Sequence, residues 1–64
     1  MARFEIFHQD TIAIVINVDD ILYIRPHDRE GEHTAITYNS GEVMVVDESF
    51  NKVSKMIVQP SKIF

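Results

Sequence analysis

Cysteine and tryptophan are absent from the 64 residues, and glycine and proline occur only twice each. Without thiols the chain has no disulfide to staple it, no thiolate nucleophile, no cysteine-type zinc site and no redox switch. Gly31 and Gly41 stand alone in separate turns. That excludes a P-loop or a dinucleotide fingerprint, where clustered glycines let backbone amides close on phosphate. Long hydrophobic runs are missing too: the uncharged stretch at residues 12–16 is far shorter than the roughly twenty apolar residues of a membrane-spanning helix. The opening residues lack the basic, apolar and small-residue order of a secretory signal. A soluble, cytoplasmic protein without membrane insertion is the expectation.

What is present is one small domain, residues 1–64. A chain of this size buries only about 60% of the surface its unfolded form exposes, so a single core supplies a net stability of about 3–5 kcal/mol. Charge is unevenly placed. Residues 1–48 hold all ten acids against Arg3, Arg25 and Arg29, a balance of −7, whereas Lys52, Lys55 and Lys62 leave the remainder at +3. There is no internal repeat, low-complexity stretch or Gly/Ser linker where a domain boundary could fall.

The first twenty-five residues predict strands, because β-branched and aromatic side chains dominate and a period of two fits. Phe4, Ile6 and His8 alternate with Arg3, Glu5 and Phe7, and Gln9-Asp10 reads as a polar turn into a second strand. There Ile12, Ile14, Ile16 and Val18 form one face while Ala13 and Val15 make the other apolar as well. Such a strand wants cover on both sides. After a short turn at residues 17–20, a third strand at 21–24 is stopped by Pro26, which has no amide hydrogen for a ladder. Residues 26–32 form a charged loop. Strands four and five, at 34–38 and 42–46, are joined by Tyr38-Asn39-Ser40-Gly41, which suits a type I turn with glycine at positive φ.

From Asp47 the period becomes helical. Asp47 reads as the N-cap, Phe50, Val53 and Ile57 share one face with Met56 beside them, and Pro60 stops the helix near Gln59. The expected fold is therefore α+β: a small curled antiparallel β-sheet or open barrel of about five strands in a meander, with one C-terminal α-helix on a face or end.

No enzyme is expected. His8, His27 and His33 are available as bases, but Ser40 and Ser49 read as turn and helix-start residues, and Asp19-Asp20 point to opposite sides of an extended chain. His27, Asp28 and His33 have metal-ligand side chains in a spacing that matches no metal motif, so neither metal nor cofactor is expected. The functional signal is surplus apolar surface. With Ile12, Ile14, Ile16 and Val18 facing the helix, little chain is left to cover Phe7, Ala13, Val15 and Tyr23 on the reverse, so either the sheet curls tightly enough to enclose both faces or a second copy or another protein completes the burial. The uncharged run from Thr11 to Val18 invites pairing with another edge. Candidate interaction residues are Phe7, Ala13, Val15 and Tyr23 with His27, Arg29 and His33 of the loop. Lys52, Lys55 and Lys62 are the alternative set for nucleic acid, which six basic residues among ten acids disfavour.

Two resemblances add to this. Asn17-Val18-Asp19-Asp20-Ile21, residues 34–38, Asn39-Ser40-Gly41-Glu42 and Val45-Val46-Asp47-Glu48-Ser49 leading into a short helix resemble the short flagellar FlbD-like proteins. That resemblance covers nearly the whole chain and implies a binding or regulatory role without chemistry. Residues 18–24, Asn39-Ser40-Gly41-Glu42 and Ser49-Phe50 are similar to the DNA-binding LytTR domain, which implies a small DNA-binding transcription regulator as the alternative. A third possibility, an inhibitor whose acidic surface occupies a partner's basic site, follows from charge. The leading expectation is a non-enzymatic, self-associating protein-interaction or regulatory module that uses a sheet edge or face and the loop at 26–33. Under the DNA-binding alternative, Lys52→Ala and Lys55→Ala weaken binding and flatten its salt dependence; a gel shift at low ionic strength showing no salt-sensitive complex rejects it.

Overall fold

The computed structural model describes residues 2–58, so Pro60, Lys62, Ile63 and Phe64 lie outside the described residues. Strands β1 (Phe4–Gln9) and β2 (Ile12–Asn17) form a hairpin. After a 3-10 turn at Val18–Asp20, β3 (Ile21–Pro26), β4 (Thr34–Tyr38) and β5 (Val43–Val46) form a second antiparallel sheet in the order β3-β4-β5, and helix α1 (Phe50–Ile57) follows. The α+β composition, the five antiparallel strands and the C-terminal helix agree with the expectation. The single curled sheet does not: there are two small sheets, not closed into a barrel. The cause lies at Asn17, whose side chain accepts a hydrogen bond from the Asp19 amide at 3.1 Å. It starts a 3-10 turn that carries β3 away from β2.

The hairpin turns through Asp10 and Thr11, both at positive φ (51° and 67°), one residue later than the sequence suggested. Two left-handed residues match the twist of the flanking strands. Aspartate tolerates that conformation, whereas β-branched threonine does so at a cost, which the Asp47 carboxylate helps offset by accepting from the Thr11 amide at 3.1 Å. The resulting register sets Phe7 opposite Ile14 and Glu5 opposite Ile16 on the inner face, with Ile6 opposite Val15 and His8 opposite Ala13 on the outer face. Phe7 is consequently a core residue, 0% exposed. This corrects its expected place on the uncovered side.

A bulge between Ile21 and Tyr23 shifts the register of β3 on β4. It interrupts simple alternation, so Ile21 and Ile24 both pack on the core while Leu22 and Tyr23 are both exposed. Central strand β4 has both faces buried at Thr34, Ala35, Ile36 and Thr37. The β4–β5 turn forms as the sequence suggested, with Gly41 at φ 94°, its amide on Tyr38 O, and the Tyr38 amide on Glu42 O, each at 2.9 Å.

The core joins Phe7 and Ile16 of the hairpin to Ile36 and Val46 of the second sheet and Val53 of the helix. The helix starts two residues later than expected. Ser49, not Asp47, is its N-cap and accepts from the Lys52 amide at 3.2 Å, because Asp47 and Glu48 are held by the hairpin. At the other end, Arg3 donates to Met56 O at 2.6 Å and Ile57 O at 3.3 Å. A cation there satisfies unpaired carbonyls and suits the helix dipole. Removing a buried phenyl group costs about 3–5 kcal/mol, comparable with the whole stability of a domain this size. In urea titrations Phe7→Ala is expected to be unfolded at 25 °C, while Ile6→Ala, on the opposite face, loses about 0.5 kcal/mol; equal effects would contradict the register.

Candidate protein-interaction site

Glu48 forms the joint between the two sheets. Its side chain is almost fully buried, one oxygen accepting from the His8 backbone amide at 2.9 Å and the other contacting the His8 Nδ1 at 2.6 Å. Thr34, itself buried, donates its hydroxyl to Glu48 O at 2.9 Å, and the Asp47 amide donates to His8 O at 2.7 Å. Burial pushes the Glu48 carboxyl up, but the hydrogen bonds from the His8 ring and amide outweigh it and hold the carboxyl below the usual carboxylate range. Beside this joint, Gln9 donates its side-chain amide to Val45 O at 3.1 Å. The end of β1 is therefore fastened to the end of β5.

The segment from His27 to His33 is more ordered than a solvated loop. The His27 amide donates to His33 O at 2.9 Å and continues the β3–β4 ladder, Gly31 at φ 70° donates to Asp28 O, and Gly31 O accepts from the Phe50 amide at 2.8 Å. Asp28 organises the turn: one carboxylate oxygen accepts from the Glu32 amide and the other meets the His33 Nδ1, both at 2.8 Å. The hydrogen bond with His33 holds the Asp28 carboxyl below its ordinary value, and the same bond raises His33. Asp28 thus favours the native loop above the carboxylate range and loses that effect in acid. His33 contributes below the usual imidazole value and loses its effect as pH rises through its raised one. The pair works between these limits.

The hairpin's outer face carries exposed apolar side chains close together. Phe4, Ile6 and Val15 are 60%, 56% and 66% exposed, and with Glu5 and Met56 they line one shallow groove. Single exposed hydrophobic residues are ordinary; a contiguous set on one face is not.

The anticipated residues divide among several places. Ala13 and Val15 lie on the hairpin's outer face. Tyr23 is exposed on β3, in the other sheet, where it lines an apolar groove with Leu22 and with Phe50, Ile57 and Val58 of the helix segment. His27 and His33 share a polar cleft with Gln9, Asp10, Asp28, Val45 and Asp47, and Arg29 is exposed in the same loop. Lys52 and Lys55 are exposed on the helix; Lys62 lies outside the described residues. The sequence reading missed Phe4 and Ile6 as open surface. A usable signal existed: in a hairpin with a two-residue turn, odd positions of β1 oppose even positions of β2, so Phe7 belongs with Ile14 and Ile6 with Val15.

Chemically, the arrangement offers two His–carboxylate pairs, yet no hydroxyl is hydrogen-bonded to either imidazole among the described residues. Ser40, Ser49 and Ser54 serve the local backbone. No group of three or more His, Asp or Glu side chains close enough to hold a metal ion occurs among the described residues, and no helix there is long and apolar enough to cross a membrane. Compared with known proteins, the chain matches no family model, no curated protein and no solved structure.

Because the Glu48 carboxyl is lowered on folding, its contribution is complete above the ordinary carboxylate range and disappears as pH falls through its folded value. Glu48→Gln is expected to cost about 1–3 kcal/mol at pH 7, measured by urea unfolding. The gap from the unaltered chain should narrow in acid, where Glu48 itself is protonated; a gap constant with pH contradicts the charged clamp.

Proposed function

We propose that this chain is a non-enzymatic protein-interaction module that works as an assembly of its own copies. The outer hairpin face and the loop at 26–33 are the surfaces it offers to a partner protein. The observation that carries this reading is the exposed group Phe4, Ile6 and Val15, beside a strand, β2, that among the described residues has a neighbour on one side only. Apolar surface of this kind is stabilised when another protein covers it, and a small domain with a limited core gains from such burial. The ordered loop adds a polar contact of fixed shape at the hairpin's tip, since Gln9 and Asp10 line the same cleft as His27 and His33. The reading agrees with the binding role that the FlbD-like resemblance implies.

Light scattering coupled to chromatography tests the self-association. A mass above the 7.4 kDa monomer, falling toward it on dilution, is the expected result. A monomer from micromolar to near-millimolar concentration rejects the assembly.

A further inference from the structure

Among the described residues each sheet has two outer strands, and the four edges are not alike. On β3, Pro26 supplies no amide and the bulge at Leu22 disturbs the ladder. These are two recognised ways of making an edge unreceptive. β5 is only four residues long, its outward Val45 carbonyl is taken by Gln9, and the following Asp47 amide is taken by His8 O. On β1 the His8 amide and carbonyl are both occupied by the Asp47–Glu48 segment, which blocks continuation of that edge.

β2 has none of these protections. Its sequence, Ile-Ala-Ile-Val-Ile-Asn, contains no charge, proline or glycine, and it shows no bulge against β1. Hydrogen-bonded pairs alternate along an antiparallel hairpin. The Val18 amide bonds to Arg3 O, so the bonded pairs are Glu5 with Ile16, Phe7 with Ile14 and Gln9 with Ile12. The backbone groups of Ala13 and Val15 therefore face away from β1, along an edge flanked by the exposed Ile12 and Val15 side chains.

We infer that β2 is the contact between copies: two β2 strands pair antiparallel about a two-fold axis through Val15, and the two hairpins become one four-stranded sheet. The inference rests on the self-associating reading above and names the surface that carries it. A second copy is the occupant because the strand complements itself in this register. Each Val15 amide meets the other copy's Val15 carbonyl, Ala13 lies opposite Asn17, and Ile14 lies opposite Ile16. Within β2 no charges oppose one another, since residues 12–17 carry none. A closed two-fold contact of this kind consumes both open edges and ends growth at the dimer. It also doubles the apolar outer face, setting Phe4, Ile6 and Val15 of both copies on one surface for the partner.

Amide hydrogen exchange across a concentration series, with light scattering on the same samples, tests this. In the dimer the Ala13 and Val15 amides should exchange at least about tenfold more slowly than in dilute monomer. Ala13→Lys, a charged substitution on an exposed edge residue, should yield a folded monomer, whereas Val43→Lys on the other sheet should leave the dimer intact. An assembly whose Ala13 and Val15 amides stay unprotected, or one unaffected by Ala13→Lys, overturns the β2 contact while leaving self-association standing. A monomer at every concentration overturns both.

Discussion

The buried Glu48 carboxylate is the constraint on which the remaining geometry depends. A two-stranded hairpin is at best marginally stable alone, and this one acquires its position by presenting the His8 amide and ring to a carboxylate from beyond β5. Thr34 fixes the Glu48 backbone from the central strand. One residue thereby ties β1, β4 and the approach to the helix, placing Phe7 and Ile16 against Ile36, Val46 and Val53. A buried charge left without its partner is far costlier than an exposed one, so this joint also specifies where the hairpin sits.

Fastening the sheets at a corner has a consequence for the surface. Had the strands continued as one curled sheet, β2 would have been interior, flanked by β1 and β3, with its amides all paired. The 3-10 turn after Asn17 sends β3 elsewhere, so that among the described residues β2 is paired on one side only and the hairpin's outer face is exposed. Both proposals start from that geometry. The same fastening consumes the exposed backbone of β1 near His8 and part of β5, whereas no such contact claims the outer edge of β2 among the described residues.

Much of this was legible in the sequence where a local rule has no competitor. Period-two alternation marked the strands, Gly41 marked its turn, and Phe50, Val53 and Ile57 marked the helix face. The uncharged β2 stretch announced itself as a strand. Phe7 was misplaced because alternation says which residues share a face without saying which face is inside; cross-strand parity decides that, and it needs the turn length. The helix start was misplaced for another reason. Asp47 and Glu48 are good first-turn residues by propensity, but tertiary hydrogen bonds to Thr11 and His8 claim them, leaving Ser49 to cap. The separation into two sheets was hidden because it depends on a three-residue turn whose direction composition does not encode. The bulge that turns Leu22 outward was hidden likewise.

The central claim is that the corner joint leaves β2 free to meet its own copy. Isotope-filtered nuclear Overhauser spectroscopy on a mixture of labelled and unlabelled protein tests it most directly, because only contacts between copies give signals. In the Val15-centred register, Ile14 and Ile16 of opposite copies form a non-hydrogen-bonded pair, in which α-protons approach most closely. Cross-peaks between the Ile14 α-proton of one copy and the Ile16 α-proton of the other are the expected result. Contacts between copies confined to Tyr23 and Val43 of the other sheet, or none in a sample at high concentration, would contradict it.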